Sequence, residues 1–241
     1  MGLLQTAPTS SSMRQILLSL LIILFVSPLY ALTTGELADQ EYEHISPHVH
    51  DINPKALYFG ILAYENARSE GLDTKELLTI VDFSSPSNTK RLWVLDIKNN
   101  KVLYHTYVTH GTGNGFLYAR RFSNNNETHE SSLGLFQTKA TYTGHVGYAL
   151  RLNGLEDGYN NNAEKRAIVM HGAPYANADF IEHYGRLGRS WGCFAMPENI
   201  YQSVIDTVKN DTLIFAYYPD QDWLTHSRFL QNNHLRPATK E

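Results

Sequence analysis

Gly188-Arg189-Ser190-Trp191-Gly192-Cys193-Phe194-Ala195-Met196-Pro197 holds the only cysteine in a chain of 241 residues. One thiol forms no intrachain disulfide and no cysteine-rich zinc site. The loop is built of small residues and leads into a helix predicted from Glu198 to Val208, where Ile200, Tyr201, Val204, Ile205 and Val208 share one face behind Pro197. A thiol attacks as thiolate, and a nearby imidazolium or helix N-terminus lowers its pKa. Gly192 lets backbone approach a ligand closely, so the amides beside it suit a developing oxyanion. The bland reading is an inert, buried Cys serving as a small hydrophobe.

Upstream, Ala167-Ile168-Val169-Met170-His171-Gly172 reads as an apolar strand that ends in a polar imidazole. A strand-end His and a loop Cys are the pair that nucleophilic acyl chemistry needs. Other candidates are poorer. His110, His145 and His183 together with His171 and Cys193 make a conceivable zinc set, but nothing fixes their spacing. His44, His48 and His50 lie around Pro47 without a metal-binding pattern. Gly111-Thr112-Gly113-Asn114-Gly115 lacks the Lys and helix of a phosphate loop. Asn126-Glu127-Thr128 is a glycosylation sequon only in a eukaryotic secretory path.

Around these segments the pattern is mostly strand. Leu77 to Phe83, Leu92 to Ile97, Val102 to Thr109, Gly134 to Thr138, Tyr148 to Leu152, Ala167 to His171 and Thr212 to Tyr218 are strand candidates. Asn99-Asn100 turns a hairpin between the second and third. A helix is predicted from Pro54 to about Ser69, with Asn53 as its cap and Gly71 closing it. The expected organisation is a signal peptide at 1–31, a linker at 32–52, a helical extension at 53–89, a catalytic domain at 90–219 and a tail at 220–241. The fold class is mainly β (α+β), a β-sandwich with a few packed helices.

The composition is globular, with 42% hydrophobic and 18% charged residues, and excludes a disordered or coiled-coil chain. A net charge of −4 argues against a general nucleic-acid binder. Arg14 precedes an apolar run from Ile16 to Val26, followed by Pro28 and Ala31. This describes a secretory signal with translation from Met1 or Met13, and the run is short for a membrane span. The expectation is an exported protein without a stable membrane span after cleavage. An exported chain that keeps one thiol points to intermolecular pairing or to a thiol kept for chemistry.

His171-Gly172 with Ser190-Trp191-Gly192-Cys193 resembles the signature of the L,D-transpeptidases, the YkuD-type peptidoglycan cross-linking enzymes. Trp191 stands where that pattern has a second His, and Ala195 where it has an Arg. Both departures are similar to those of the divergent murein L,D-transpeptidase catalytic-domain branch. The likeness extends through His110 to Gly113, Phe122 to Asn124, Ser131 to Gly134 and Arg151 to Glu156, over roughly residues 53–219.

The resemblance implies Cys193 as nucleophile, His171 as base and the Gly172 carbonyl as orienter of the imidazole. It further implies an oxyanion hole from the backbone N–H groups of Trp191, Gly192 and Cys193. Substrates would be peptidoglycan stem peptides, attacked at the diaminopimelate carbonyl with release of D-alanine, in the bacterial periplasm or cell envelope, with no metal or organic cofactor. Ser190, Arg189 and Arg186 are the candidate substrate contacts, the two arginines replacing the charge missing at Ala195 or standing as ordinary loop cations. Trp191 either stacks on substrate or packs into the core. Alternatives are a cysteine L,D-carboxypeptidase acting on the same stems and a non-catalytic peptidoglycan-binding protein.

Overall fold

The computed structural model describes residues 32–231. The expected signal peptide (1–31) and the end of the expected tail (232–241) lie outside the described residues. Among the described residues five α-helices, α1 (Thr34–Ile45), α2 (Pro54–Ser69), α3 (Ala178–Tyr184), α4 (Tyr201–Val208) and α5 (Gln221–His226), accompany eight strands. The strands are β1 (Leu77–Asp82), β2 (Leu92–Asp96), β3 (Lys101–Thr106), β4 (Gly134–Gly144), β5 (Gly147–Gly154), β6 (Val169–Gly172), β7 (Phe194–Met196) and β8 (Leu213–Tyr217). They form one mixed sheet in the order β3-β2-β1-β8-β4-β5-β6-β7. The fold is therefore mainly β with a few packed helices.

β8 lies between β1, which it pairs in parallel, and β4, which it pairs antiparallel. All five of its residues are buried, the continuous apolar run of a strand covered on both faces. α2 packs closely on this centre because Gly60 has no side chain. A Cβ there would meet Ile80 Cδ1 at 2.9 Å and the Phe215 ring at 3.3 Å.

Three expected boundaries are corrected here. Residues 53–89 are not an extension, since β1 within them is an interior strand paired to β2 and β8. Residues 34–45 are helix rather than linker. Thr33 Oγ1 accepts from the Glu36 amide at 3.2 Å while the Glu36 carboxylate accepts from the Thr33 amide at 2.8 Å, a reciprocal cap. Residues 221–230 are not a loose tail, because Trp223, Phe229 and Leu230 are buried. The Trp223 ring lies 5.5 Å from that of Phe215, and its Nε1 donates to Glu156 Oε2 at 2.9 Å. Glu156 Oε1 accepts from the Leu135 amide at 2.7 Å, which ties α5 to β4.

The two edges of the sheet are joined by one segment. β3 was expected to continue to Thr109, yet it ends at Thr106, and the chain then crosses to the free side of β7. There the Thr109 amide donates to Ala195 O (2.9 Å), the Ser190 amide to His110 O (3.1 Å) and the Thr112 amide to Ser190 O (2.8 Å). The fully buried Arg91 clamps the crossing, donating to Val108 O, Ser85 O and His110 Nδ1. Burial pushes the Arg91 guanidinium down to about 9, with Asp82 opposing. Burial and Arg91 push His110 down to about 3, so His110 is a neutral acceptor in this clamp.

Removing Trp223 leaves a large cavity over Phe215 and takes one hydrogen bond from the buried Glu156 carboxylate. Trp223→Ala is expected to cost about 3–5 kcal/mol in urea unfolding. A loss below about 1 kcal/mol would show that α5 is peripheral after all.

Candidate active site

The Cys193 loop is shaped by two buried serines. Ser190 Oγ donates to Cys193 O at 2.7 Å and accepts from the Gly192 amide at 3.1 Å. Ser131 Oγ donates to Gly192 O at 3.0 Å and accepts from the Gly111 amide at 3.1 Å. Gly192 has φ +116°, and a Cβ there would lie 2.7 Å from Ile168 Cδ1 and 2.8 Å from Glu130 O. Only glycine fits both that φ and that space. Two expectations change as a result. Ser190 is buried with its hydroxyl committed inside the loop, rather than presented to substrate. The Gly192 amide is engaged by Ser190, which leaves Trp191 and Cys193 as the amides for an oxyanion.

β6 and β7 run parallel, with His171 opposite Ala195 and Met170 opposite Phe194. Cys193 stands one residue before β7, two positions from Ala195, and so lies beside the start of β6, the strand that carries His171. Ala195 is fully buried, and its small side chain leaves the imidazole room. His171 Nδ1 lies 2.9 Å from Gly172 O. A carbonyl only accepts, so Nδ1 carries the proton and Nε2 presents a lone pair. Burial pushes the His171 pKa below its ordinary value, opposed by the Gly172 hydrogen bond and assisted by nearby His145. The imidazole is thus neutral and basic near pH 7.

The thiol is half-buried and rests against Ala167 O, with Sγ donating at 3.5 Å. Ala167 is a non-glycine residue at φ +53°, a strained conformation that aims this carbonyl at the sulfur. The contact draws Sγ toward the start of β6, whereas His171 lies nearer its end. Burial pushes the Cys193 pKa up, against the lowering effects of a Val169 backbone hydrogen bond and of Arg166. An activating helix N-terminus was expected beside the thiol. Instead β7 follows Cys193, and the helix begins only at Tyr201. The resting thiol is therefore protonated.

Arg166 is the residue that sequence reasoning missed. Its guanidinium donates to Ser123 O, Ser132 Oγ, Thr128 Oγ1 and Glu130 O, bracing the segment that covers Gly192. Its position just ahead of the strand leading to His171 was the available signal. The expected arginines lie elsewhere. Arg189 donates to Thr112 O and Gly115 O and stacks 4.3 Å over Phe116, and Arg186 lies 5.6 Å over the same ring. Trp191 is 70% exposed and stacks on His129 at 4.7 Å, so it is not a core residue.

Two clefts open nearby, one on His171 and one on the neighbours of Cys193, Trp191 and Arg166. One, of about 600 Å³, is lined by His171, His145, Tyr175, Glu198, Tyr201 and neighbours. The other, of about 700 Å³, is lined by Trp191, His129, Lys165, Arg166, Glu127 and Asn126. Neither Arg186 nor Arg189 lines them. No group of three or more His, Cys, Asp or Glu side chains among the described residues is placed to hold a metal ion. His183 sits on α3, with Nδ1 bonded to Asp179 O, and His110 is held in the Arg91 clamp.

Because burial protonates the resting thiol, iodoacetamide labelling of Cys193 against pH is expected to have its midpoint above about 8.5. A midpoint below 7 would contradict this electrostatic account.

No protein of curated function matches the chain. Among solved structures, an L,D-transpeptidase from Mycobacterium smegmatis is similar at 15% identity over 59% of this chain and 59% of that one, with a TM-score of 0.38. An L,D-transpeptidase from Stackebrandtia nassauensis is similar at 11% identity over 76% of this chain and 77% of that one, with a TM-score of 0.36. A helical cell shape determining protein from Campylobacter jejuni is similar at 10% identity over 66% and 55%, with a TM-score of 0.40. The sequence profile of the L,D-transpeptidase catalytic domain matches residues 48–217, well over half of the chain, and the chain belongs to that family.

Proposed function

We propose that this protein is a cysteine-dependent acyltransferase acting on peptidoglycan stem peptides as an L,D-transpeptidase. The observation that supports the reading most is the match to the L,D-transpeptidase catalytic domain over residues 48–217, and beside it stand His171 Nδ1 bonded to Gly172 O on β6 and the single cysteine just ahead of β7, which pairs with β6. No helix among the described residues is long and apolar enough to cross a membrane. We read the N-terminal signal as directing the domain to the cell envelope, where such peptides are found.

In this reading a donor carbonyl, that of the stem's diaminopimelate, settles beside Cys193. The thiol leaves Ala167 O by rotation about χ1, and Nε2 of His171 takes its proton as sulfur attacks. The raised thiol pKa means that proton removal accompanies attack instead of preceding it. The tetrahedral oxyanion is held by the amides of Trp191 and Cys193. On collapse, Nε2–H returns the proton to the departing amine of D-alanine, leaving a thioester. In the second half, an acceptor amine attacks the thioester and gives its proton to Nε2. The thiolate leaves and recovers that proton, which regenerates the thiol. Water as acceptor would give the carboxypeptidase reaction.

Disaccharide-tetrapeptide incubated with the wild-type protein is expected to yield cross-linked dimers by mass spectrometry, and Cys193→Ala none. D-Alanine loss without dimers would assign the hydrolase instead, and intact substrate bound by both proteins would leave a binding protein. His171 must be unprotonated to act, and its pKa is depressed. The acid limb of kcat/KM is therefore expected below the ordinary imidazole value of about 6.5, with activity lost as pH falls through it. An acid limb above 7 would remove His171 from the role of free neutral base.

A further inference from the structure

The two clefts differ in a way that assigns them. The His171 cleft carries Glu198, and the Trp191 cleft carries Lys165 and Arg166 against one acid, Glu127. Lys165 is exposed and forms no ion pair among the described residues. The Arg166 side chain donates only to neutral oxygens. Trp191 exposes 70% of its surface, yet its ring lies 8° from parallel with that of His129. A large aromatic surface left in water but held in one orientation loses little entropy when a ligand covers it.

Proton traffic decides which part of the substrate goes where. The departing amine takes its proton from His171 and the entering amine gives its proton to His171, so both pass on the His171 side of the sulfur. The acyl portion stays on Cys193 through both half-reactions and extends to the other side. The thiol's electrostatic environment spans both, through Tyr175 of the first cleft and Arg166 of the second.

We propose that Trp191, His129 and Lys165 form the donor-recognition site. The stacked rings would carry the retained acyl peptide, and Lys165 would pair with one of its carboxylates, the anionic group that the fully buried Ala195 has no means to hold. This rests on the acyl-transfer reading and adds three residues that determine donor specificity.

The test uses the intrinsic fluorescence of the full chain. Trp93 and Trp223 are 1% and 0% exposed, so acrylamide quenching reports Trp191. In Cys193→Ala protein, a tetrapeptide donor is expected to shield Trp191, and its carboxamide counterpart to bind about 5- to 10-fold more weakly. In the otherwise wild-type enzyme, Lys165→Ala and Trp191→Ala are expected to raise donor KM by a similar factor, with acceptor KM unchanged. Trp191→Phe is expected to recover part of the loss. Thermal unfolding of each variant checks that the fold is kept, which the exposure of both side chains favours.

A rise in acceptor KM alone would reverse the assignment. Unchanged donor KM in active variants would overturn the proposal and leave the acyl-transfer reading intact. Shielding of Trp191 by the donor without turnover in the wild-type enzyme would instead sink the acyl-transfer reading while the cleft's ligand class survived.

Discussion

The parallel pairing of β6 with β7 is the constraint on which the site depends. The pair sets His171 against Ala195, and so fixes where Cys193, one residue ahead of β7, stands along β6. A slip of one residue would shift Cys193 along β6 relative to His171. β7 is only three residues long and could not hold that register alone. It is held from the outside by the crossing segment, through Thr109 to Ala195 and His110 to Ser190, and that segment is in turn fixed by the buried Arg91. The distant Arg91 clamp thus bears on the position of Cys193, the proposed nucleophile.

Cys193 and His171 both rest neutral, for one physical reason. Burial disfavours the charged form, raising the thiol and lowering the imidazole. Among the described residues Arg166 opposes this at the thiol, and its hydrogen bonds are already given to the covering loop. In the proposed reaction such a site keeps its thiol quiet until a substrate displaces it from Ala167 O.

Much of this was legible in the amino-acid order. The strand carrying His171 follows from the apolar run ended by Gly172, and the His–Gly and Ser-x-Gly-Cys blocks marked the candidate pair, whereas β7 lay hidden in a stretch that reads as a small-residue loop before a helix. What escaped was of a different kind. The Thr33-x-x-Glu36 cap was present, but the weakly apolar stretch behind it hid α1, whose buried residues include Ala38 and Ile45. β1 was legible as a strand but not as the neighbour of β8, because a parallel pairing between residues about 130 positions apart leaves no local trace. Ser190 and Gly192 were read from their types alone, and only the loop's closure shows that each satisfies the other. Arg166 belongs to no motif singled out in the sequence, and only the fold brings it near the thiol.

The central claim is that acyl transfer passes through sulfur 193, and trapping the acyl-enzyme tests it most directly. Intact-protein mass spectrometry of the wild-type chain, mixed with tetrapeptide donor and no acceptor amine, should show a mass increase equal to the donor minus free D-alanine, which carries away the thiol proton. Peptide mapping should place it on Cys193. Turnover that proceeds with no such adduct, or an adduct on any other residue, would contradict the account.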